Sequence, residues 1–307
     1  MTPSSVWKTT EPDLPAIFEQ HRFPLEALAA GTIPAIVLRG VYPESSCRRL
    51  IERLISEELL YDPCEPAPEE FRNLAIPEGY YREGRKSEPS YAWQAKTTSD
   101  RIRIDIGTSL GYRGSDKEAF FAHSRKTLTL FERLFDDRDD PVQLLYDNLQ
   151  RLSVDKRVVT AHEADGRQYG PAIIRAHYGG YTYKPHFDSV RLREKRTDYA
   201  VHAFEHQFAG VLVLQNTQLN DKTAQCVLHR YLWSPDVDPH LQAGTFHEYA
   251  QEETIENVEV CLDPGDLYFL NTRSIHEVPG VAGQLPRIVL ASFIGYSKDR
   301  DEIFVWS

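Results

Sequence analysis

The stretch DPGDLYFL at residues 263–270 joins a Pro-Gly turn to a short apolar run, and it is the clearest fold signal in the chain. An apolar run of this length after turn residues is typical of a buried strand. Similar β-rich runs recur through the second half of the sequence, at residues 172–176, 210–214, 227–233, 258–262, 267–270 and 288–295. Many short strands at this spacing predict a β-sandwich or a barrel.

The first half, up to about residue 153, is predicted to be mainly helical. Apolar residues at positions 47, 50, 51, 54 and 55 recur at helical spacing, which predicts a helix capped by Ser45 or Ser46. Ser115 and Glu118 have the spacing of a capping box and predict a second helix. A third helix is expected to begin at Asp140, with proline in its first turn, and to bury leucines 145, 149 and 152.

Neither a repeat nor a Gly/Ser linker separates the two halves. We therefore expect one α+β domain over residues 1–307, in which a mainly helical part, 1–155, supports a double-stranded β-helix core of the jelly-roll or cupin type at 156–307. Two separable domains divided near residue 155 are the alternative.

The composition argues against several classes of protein. The chain has 307 residues, with 35 basic against 46 acidic side chains and a net charge of -11, so a nucleic-acid partner is not expected. The densest basic run, residues 191–196, is interpreted as a solvated loop. With no apolar stretch of about 18 residues and no signal-peptide pattern, we expect a cytoplasmic protein that binds no membrane.

The segment at residues 63–99 has few long apolar runs, three prolines near its start and four aromatic residues, Tyr80, Tyr81, Tyr91 and Trp93. Long irregular segments in compact domains often cover a functional site. Two interpretations remain open, a substrate lid and a surface excursion held down by its aromatic residues.

The motif His186-Phe187-Asp188, with His276 further along the chain, predicts a metal site. Residues i and i+2 of an extended chain point to the same side, so His186 and Asp188 can reach one ion. His276 follows the 263–270 turn and strand, and can come from an opposing strand. Two histidines and one carboxylate suit Fe(II) and leave three adjacent coordination sites for 2-oxoglutarate and O2.

Arg287 stands eleven residues after His276, where a predicted buried strand begins. A buried guanidinium needs an anion, and its planar fork fits a carboxylate. We expect Arg287 to bind the C5 carboxylate of 2-oxoglutarate. His-x-Asp alone is a weak signal, and the prediction depends on all of these features occurring together.

These motifs, within residues 173–188 and 264–287, resemble the iron- and 2-oxoglutarate-dependent oxygenase superfamily in its prolyl-hydroxylase-like branch. More closely, the chain resembles the carbon halogenases of welwitindolinone-type alkaloid biosynthesis, at residues 37–43, 172–175, 232–235 and 296–307. Residues 60–165 match little. The resemblance implies Fe(II), 2-oxoglutarate and O2, with release of succinate and CO2. It also implies Tyr178 as a second 2-oxoglutarate contact, although a core packing role for Tyr178 is the alternative.

One departure from the halogenases bears on the reaction. They have Gly where this sequence has Asp188, and the missing carboxylate leaves room for chloride on the iron. With Asp188 present, the resemblance implies hydroxylation of an unactivated C–H bond, or a related oxidation, rather than halogenation. It favours a small molecule of specialised metabolism as the substrate, with a free or modified amino acid and a protein side chain as the alternatives.

Two other functions are left open by the sequence. His202, Glu205 and His206 fit the H-x-x-E-H pattern of inverted zinc peptidases. A binding protein that keeps the jelly roll without catalysis is the other possibility. Metal analysis and 2-oxoglutarate turnover would separate the three.

Overall fold

The computed structural model describes residues 7–11, 14–68, 80–82, 102–135 and 139–307. Its α-helices are α1 (Leu14–Gln20), α2 (Pro24–Ala29), α3 (Glu44–Ser56), α4 (Leu110–Arg113), α5 (Lys117–Leu134), α6 (Pro141–Leu152), α7 (Asp238–Ala243) and α8 (Phe246–Glu252). The strands are β1 (Ala35–Leu38), β2 (Tyr80–Arg82), β3 (Arg103–Ile106), β4 (Arg157–Thr160), β5 (Ile173–His177), β6 (Tyr183–His186), β7 (His206–Gln215), β8 (Gln218–Leu219), β9 (Lys222–Thr223), β10 (Cys226–Leu232), β11 (Asn257–Val260), β12 (Leu267–Asn271), β13 (Ser274–Val278), β14 (Arg287–Tyr296) and β15 (Glu302–Trp306).

Most of these strands form two sheets. The major sheet has nine strands in the order β1-β12-β7-β14-β5-β3-β2, with β15 joining β14 to β4. The minor sheet has four strands in the order β11-β10-β13-β6. Every pair in the two sheets is antiparallel except β4 with β15.

The two sheets pack face to face through an apolar layer. Val211, Leu270 and Val289 from the major sheet meet Leu228 and Val260 from the minor sheet in one buried cluster. The predicted combination of helices with facing β-sheets is therefore confirmed at the level of a mixed α/β fold with large antiparallel sheets.

The other face of the major sheet is covered by helices. Leu54 of α3 and Leu149 of α6 belong to the same buried cluster as Ile174, Leu212 and Leu290 of the sheet. Since successive residues of a strand point to opposite faces, one strand can serve both layers. Along β14, Ile288 and Leu290 face the helices, whereas Val289 between them faces the minor sheet.

The predicted strands are all present, with ends that move by a few residues. The predicted β-rich runs do not include β2, β3, β4, β8, β9 or β15. Strands β6 and β13 are expected only through the extended chain at His186 and the opposing strand of His276. In β3 the sequence RIDI alternates charged with apolar residues, a pattern typical of a strand with one solvent-exposed face. Arg103 and Asp105 are nevertheless both buried.

Strands from the first half of the chain join the major sheet, since β1 pairs with β12 and β3 pairs with β5. The division into a helical part at 1–155 and a β core at 156–307 therefore understates the β content of the first part. The single-domain organisation stays a prediction. The proposed lid at residues 63–99 lies largely outside the described residues.

Across the described ranges, the helices are all too short or too polar to cross a membrane.

The helix starts show which predicted caps form. Asp140 caps α6 as predicted, accepting hydrogen bonds from the backbone N–H groups of Val142 (2.7 Å) and Gln143 (3.1 Å). The other two predictions are wrong. Helix α5 is capped by Asp116 rather than by Ser115, and α3 begins directly after Pro43 with no side-chain cap.

We predict that Asp140→Ala lowers the free energy of unfolding by about 0.5–2 kcal/mol, because two helical N–H groups lose their acceptor. Ser45→Ala, at the predicted cap that does not form, should leave it unchanged. Urea denaturation followed by circular dichroism measures both. An equal loss in the two variants would contradict this account of the helix starts.

Candidate metal centre and ligand cavity

His186 and His276 lie opposite each other on neighbouring strands of the minor sheet. In the antiparallel register of β6 with β13, His276 pairs directly with His186, and the two ring centroids are 4.2 Å apart. The separation of 90 residues in the sequence is thus closed by one strand pairing.

Each imidazole is oriented by its own strand. His186 Nδ1 lies 2.6 Å from the carbonyl oxygen of Lys184, and His276 Nδ1 lies 2.8 Å from that of Ser274. Because a carbonyl oxygen only accepts hydrogen bonds, each Nδ1 carries the proton and each Nε2 presents a lone pair. That is the tautomer in which a histidine binds a metal through Nε2.

Asp188 follows the end of β6 and is held by the corner after β12. Its N–H donates to the Thr272 carbonyl (2.9 Å), and the Thr272 hydroxyl donates to the Asp188 carbonyl (2.8 Å). Asp188 Oδ2 lies 3.7 Å from Nε2 of His186 and 3.7 Å from Nε2 of His276. The three predicted ligands therefore converge on one point.

The second carboxylate oxygen of Asp188 accepts a hydrogen bond from Arg193 at 2.9 Å. Arg193 lies in a single π-helical turn, Val190–Glu194, which returns its side chain onto the residue five positions earlier. The interpretation of residues 191–196 as a solvated loop is wrong for Arg193. No sequence signal revealed this role, because it depends on the π turn.

The electrostatics of the three side chains suit a divalent cation. Burial, with the neighbouring His276, lowers the pKa of His186 to about 3, so its imidazole is neutral at physiological pH. Burial would raise the pKa of Asp188, but His276, His186 and Arg193 together hold it well below its usual value. Two neutral imidazoles and one carboxylate match the donor set of non-haem Fe(II) sites.

The triad opens into a cavity of about 90 Å³ between the two sheets. Its walls are apolar for the most part, with contributions from Val211, Val278 and Val289. Besides the triad, the polar or charged side chains that line the cavity are those of Arg175, His177, Tyr183, Tyr268, Arg287, Ser292 and Ser307.

Arg287 begins β14 as predicted and is only 5 % exposed. Its Nε has no hydrogen-bond partner among the described residues, and no carboxylate of the described chain forms an ion pair with it. The Tyr268 side chain lies beside it. A buried guanidinium without a carboxylate partner is energetically costly, and a bound anion would offset that cost.

The structure does not bring Tyr178 to this cavity. Its hydroxyl donates to the Tyr61 carbonyl (3.0 Å), and its ring stacks on that of Tyr61, among the residues packed under the helices. Alternation along β5 explains the difference, because His177 takes the inward position and Tyr178 the outward one. The alternative packing role is the one observed, and Tyr183 and Tyr268 are the tyrosines that line the cavity.

The zinc-peptidase alternative lacks its helix. His202 lies in a 3-10 turn, Ala200–Ala203, whereas His206 is the first residue of β7. The H-x-x-E-H pattern requires both histidines on one helical face, and in the described chain these residues do not form a group of converging ligand atoms.

A second His/Glu group lies on the outer side of the minor sheet. Glu277, adjacent to His276 on β13, contacts His229 Nε2 at 2.9 Å through one oxygen and His247 Nε2 at 3.3 Å through the other. Local spacing in the sequence does not predict that His229 and His247 contact one carboxylate, because they come from β10 and α8. Each oxygen of Glu277 already has an imidazole partner, so the group ties the helix to the sheet.

Comparison with known proteins places this site in a family. The family model described as carrier-protein-independent halogenase WelO5 matches residues 13–307. A search of curated proteins finds no match.

Among solved structures, the chain is similar to an N-substituted L-amino acid dioxygenase from Burkholderia ambifaria AMMD, with 14% identity and a TM-score of 0.51, covering 92% of this chain and 90% of that one. The complex of the same enzyme with alpha-KG gives the same values. The non-heme alpha ketoglutarate dependent epimerase SnoN from nogalamycin biosynthesis matches with 12% identity and a TM-score of 0.42, over 93% of this chain and 86% of that one.

The family match and the donor set of His186, Asp188 and His276 assign Fe(II), 2-oxoglutarate and O2 to the protein as its cofactor and co-substrates. With nearly its whole length matched, the chain belongs to the family of the carrier-protein-independent halogenase WelO5, within the Fe(II)- and 2-oxoglutarate-dependent oxygenases.

Proposed function

We propose that the protein is a hydroxylase that oxidises an unactivated C–H bond of a small molecule, with release of succinate and CO2. The observation that supports this most directly is the position of the Asp188 carboxylate. One oxygen of this ionised carboxylate lies 3.7 Å from both histidine Nε2 atoms. The other oxygen accepts a hydrogen bond from Arg193.

In this proposal His186, Asp188 and His276 hold the iron. Bound there, Fe(II) supplies the O2 activation that couples 2-oxoglutarate decarboxylation to C–H cleavage. The chain contributes two imidazoles already in the ligating tautomer and one carboxylate whose other oxygen is occupied. Outer contacts of this kind fix ligand orientation, and their loss typically weakens metal affinity by about 10–100-fold.

Arg287 is proposed to bind the C5 carboxylate of 2-oxoglutarate, with the Tyr268 hydroxyl beside it. The unpartnered Nε and the low exposure of Arg287 support this role, since a charge-assisted pair in such a site is strong and specific. The surrounding apolar walls keep water away from the reacting centre.

Hydroxylation is favoured over halogenation by the residue at position 188. The related halogenases are expected to have glycine here, which leaves a coordination position for a halide. In this chain an anionic protein ligand occupies that position and makes a halide electrostatically unfavourable. Family membership alone does not decide between the two reactions.

The facing sheets are proposed to be the double-stranded β-helix of this superfamily, with the metal at its open end. A small-molecule substrate agrees with the position of the cavity between the two sheets. The Burkholderia protein is an N-substituted L-amino acid dioxygenase, so N-substituted L-amino acids are one class to include in a substrate screen.

We predict that His186→Ala, Asp188→Ala and His276→Ala each abolish stoichiometric Fe(II) binding without unfolding the protein, because each removes one of three protein ligands. The matched control is His247→Ala, which alters the His/Glu group on the outer side of the same sheet and should keep full iron content. Iron analysis after anaerobic loading, with circular dichroism, measures the outcome. Normal iron content in any triad variant would remove that residue from the site.

We predict that Arg287→Ala raises the 2-oxoglutarate concentration needed for half-maximal succinate formation by about tenfold to a thousandfold. Losing a charge-assisted hydrogen bond costs about 1.5–3 kcal/mol, and stranding the partner charge in a buried site costs about 3–5 kcal/mol. Arg157→Ala, which removes an exposed arginine of β4, serves as the control. An unchanged requirement in Arg287→Ala would rule out the contact.

We predict that Asp188→Gly keeps weak 2-oxoglutarate decarboxylation and gives at most trace chlorination in saturating chloride. The change opens a coordination position and removes a negative charge, so a halide can replace the carboxylate. Halide transfer also requires the substrate radical to lie nearer the halide than the hydroxyl. Mass spectrometry of the product with chloride and with bromide measures this, and efficient halogenation would show that ligand identity alone sets the reaction.

A further inference from the structure

The cavity carries a second guanidinium, partly buried, that the proposed reaction does not use. Arg175 lies on β5, two residues before His177, and its side chain lines the cavity. In the register of β14 with β5, Arg287 pairs with His177 and Val289 pairs with Arg175. His177 is therefore directly opposite Arg287 and two residues from Arg175.

The nearest carboxylate to Arg175 is already engaged by another residue. Arg103 binds Asp105 through both oxygens, at 2.9 and 2.7 Å, with both side chains buried. Arg175 Nε lies 3.7 Å from Asp105 Oδ1, beyond hydrogen-bond distance, and has no hydrogen-bond partner among the described residues. Among the described residues, Arg103 and the partly buried Arg175 thus share the Asp105 carboxylate.

The other groups near Arg175 do not supply the missing negative charge. Tyr112 and Tyr183 are neutral phenols, and Arg103 is a third positive charge. His177 is held neutral, because burial and then the three arginines at positions 287, 103 and 175 lower its pKa well below the usual value. Among the described residues, Arg175 therefore has only the shared Asp105 carboxylate, at 3.7 Å, as a counter-charge.

The position of Arg175 relative to the metal suits a substrate anchor. Tyr183 lies against the arginine cluster, with the Arg103 guanidinium 5.3 Å from its ring centre, and its ring also stacks on His186 at 5.8 Å. Tyr183 therefore bridges the arginine cluster and the triad. Arg175 also interacts electrostatically with Tyr183, so an anion held at Arg175 would lie on the side of the cavity where Tyr183 contacts His186.

We infer that Arg175 binds a carboxylate of the prime substrate, so that the enzyme acts on small carboxylic acids. The inference rests on the proposed function in one respect, since 2-oxoglutarate is assigned to Arg287 and leaves Arg175 for the second molecule. The planar fork of arginine fits a carboxylate through two parallel hydrogen bonds. The apolar walls next to it, Ile173, Ala291 and Phe293, suit a hydrocarbon portion.

The test measures binding rather than turnover. Calorimetry is performed without oxygen on the Fe(II)-loaded protein with saturating 2-oxoglutarate. The probes are 4-methylpentanoate, 3-phenylpropanoate, indole-3-acetate and N-acetyl-L-leucine, each compared with its primary amide, which has nearly the same shape and no charge. At least one acid should bind about tenfold to a hundredfold more tightly than its amide.

Arg175→Gln should remove this preference, and Arg175→Lys should keep part of it, because lysine retains the charge but not the fork. Arg157→Gln, on the exposed surface of β4, should behave as the wild type. Thermal unfolding reports whether each variant is folded. If Arg175→Gln does not fold, the comparison of Arg175→Lys with the wild type decides, and an undiminished acid preference in it counts against the proposal.

Titration of 2-oxoglutarate alone separates this inference from the proposed function. Arg287→Gln should weaken 2-oxoglutarate binding, whereas Arg175→Gln should change it less than twofold. Equal weakening by the two variants would make Arg175 a second 2-oxoglutarate contact and overturn the inference. The inference would also be overturned if none of the acids in the panel bound more tightly than its amide. Normal 2-oxoglutarate binding by Arg287→Gln would instead refute the assignment of Arg287 and leave the substrate inference standing.

Discussion

The pairing of β6 with β13 is the constraint on which the site depends. It puts His186 directly opposite His276, and the turn of chain that follows β6 then brings Asp188 to the same point. Each histidine is oriented by the carbonyl two residues earlier on its own strand. The geometry of the two histidines is therefore a property of the backbone of the minor sheet, whereas Asp188 is held from outside the sheet by Thr272 and Arg193.

Among the described residues, the cavity region brings three arginines together with one carboxylate. Arg103 and Arg287 are buried, Arg175 is partly buried, and Asp105 pairs with Arg103 and lies 3.7 Å from Arg175. Burying unpaired charge destabilises a folded protein. Such an arrangement is tolerated when anionic ligands neutralise it, so binding of co-substrate should also stabilise the fold through mass action.

The sequence predicted the strand-rich second half, three helices and the identities of the three converging side chains, because those features depend on local pattern. His-x-Asp spacing and an arginine at the start of an apolar strand depend only on residues close in sequence, so they can be recognised without knowing the fold. Tyr178 was misplaced, since its face depends on where β5 ends, and a shift of one residue exchanges inside for outside. Arg193, Tyr268 and the Arg103–Asp105 pair depend on a π turn or on strand pairings distant in sequence, which no local pattern reveals.

The contacts of Glu277 with His229 and His247 have a consequence for the neighbouring residue. Successive residues of β13 point to opposite sides of the sheet, so His276 can face the cavity only while Glu277 faces outward. The two outer histidines hold Glu277 in that direction, one from β10 and one from α8. These contacts stabilise the strand register, so that α8, on the far side of the sheet, helps to keep the metal ligand His276 directed into the cavity.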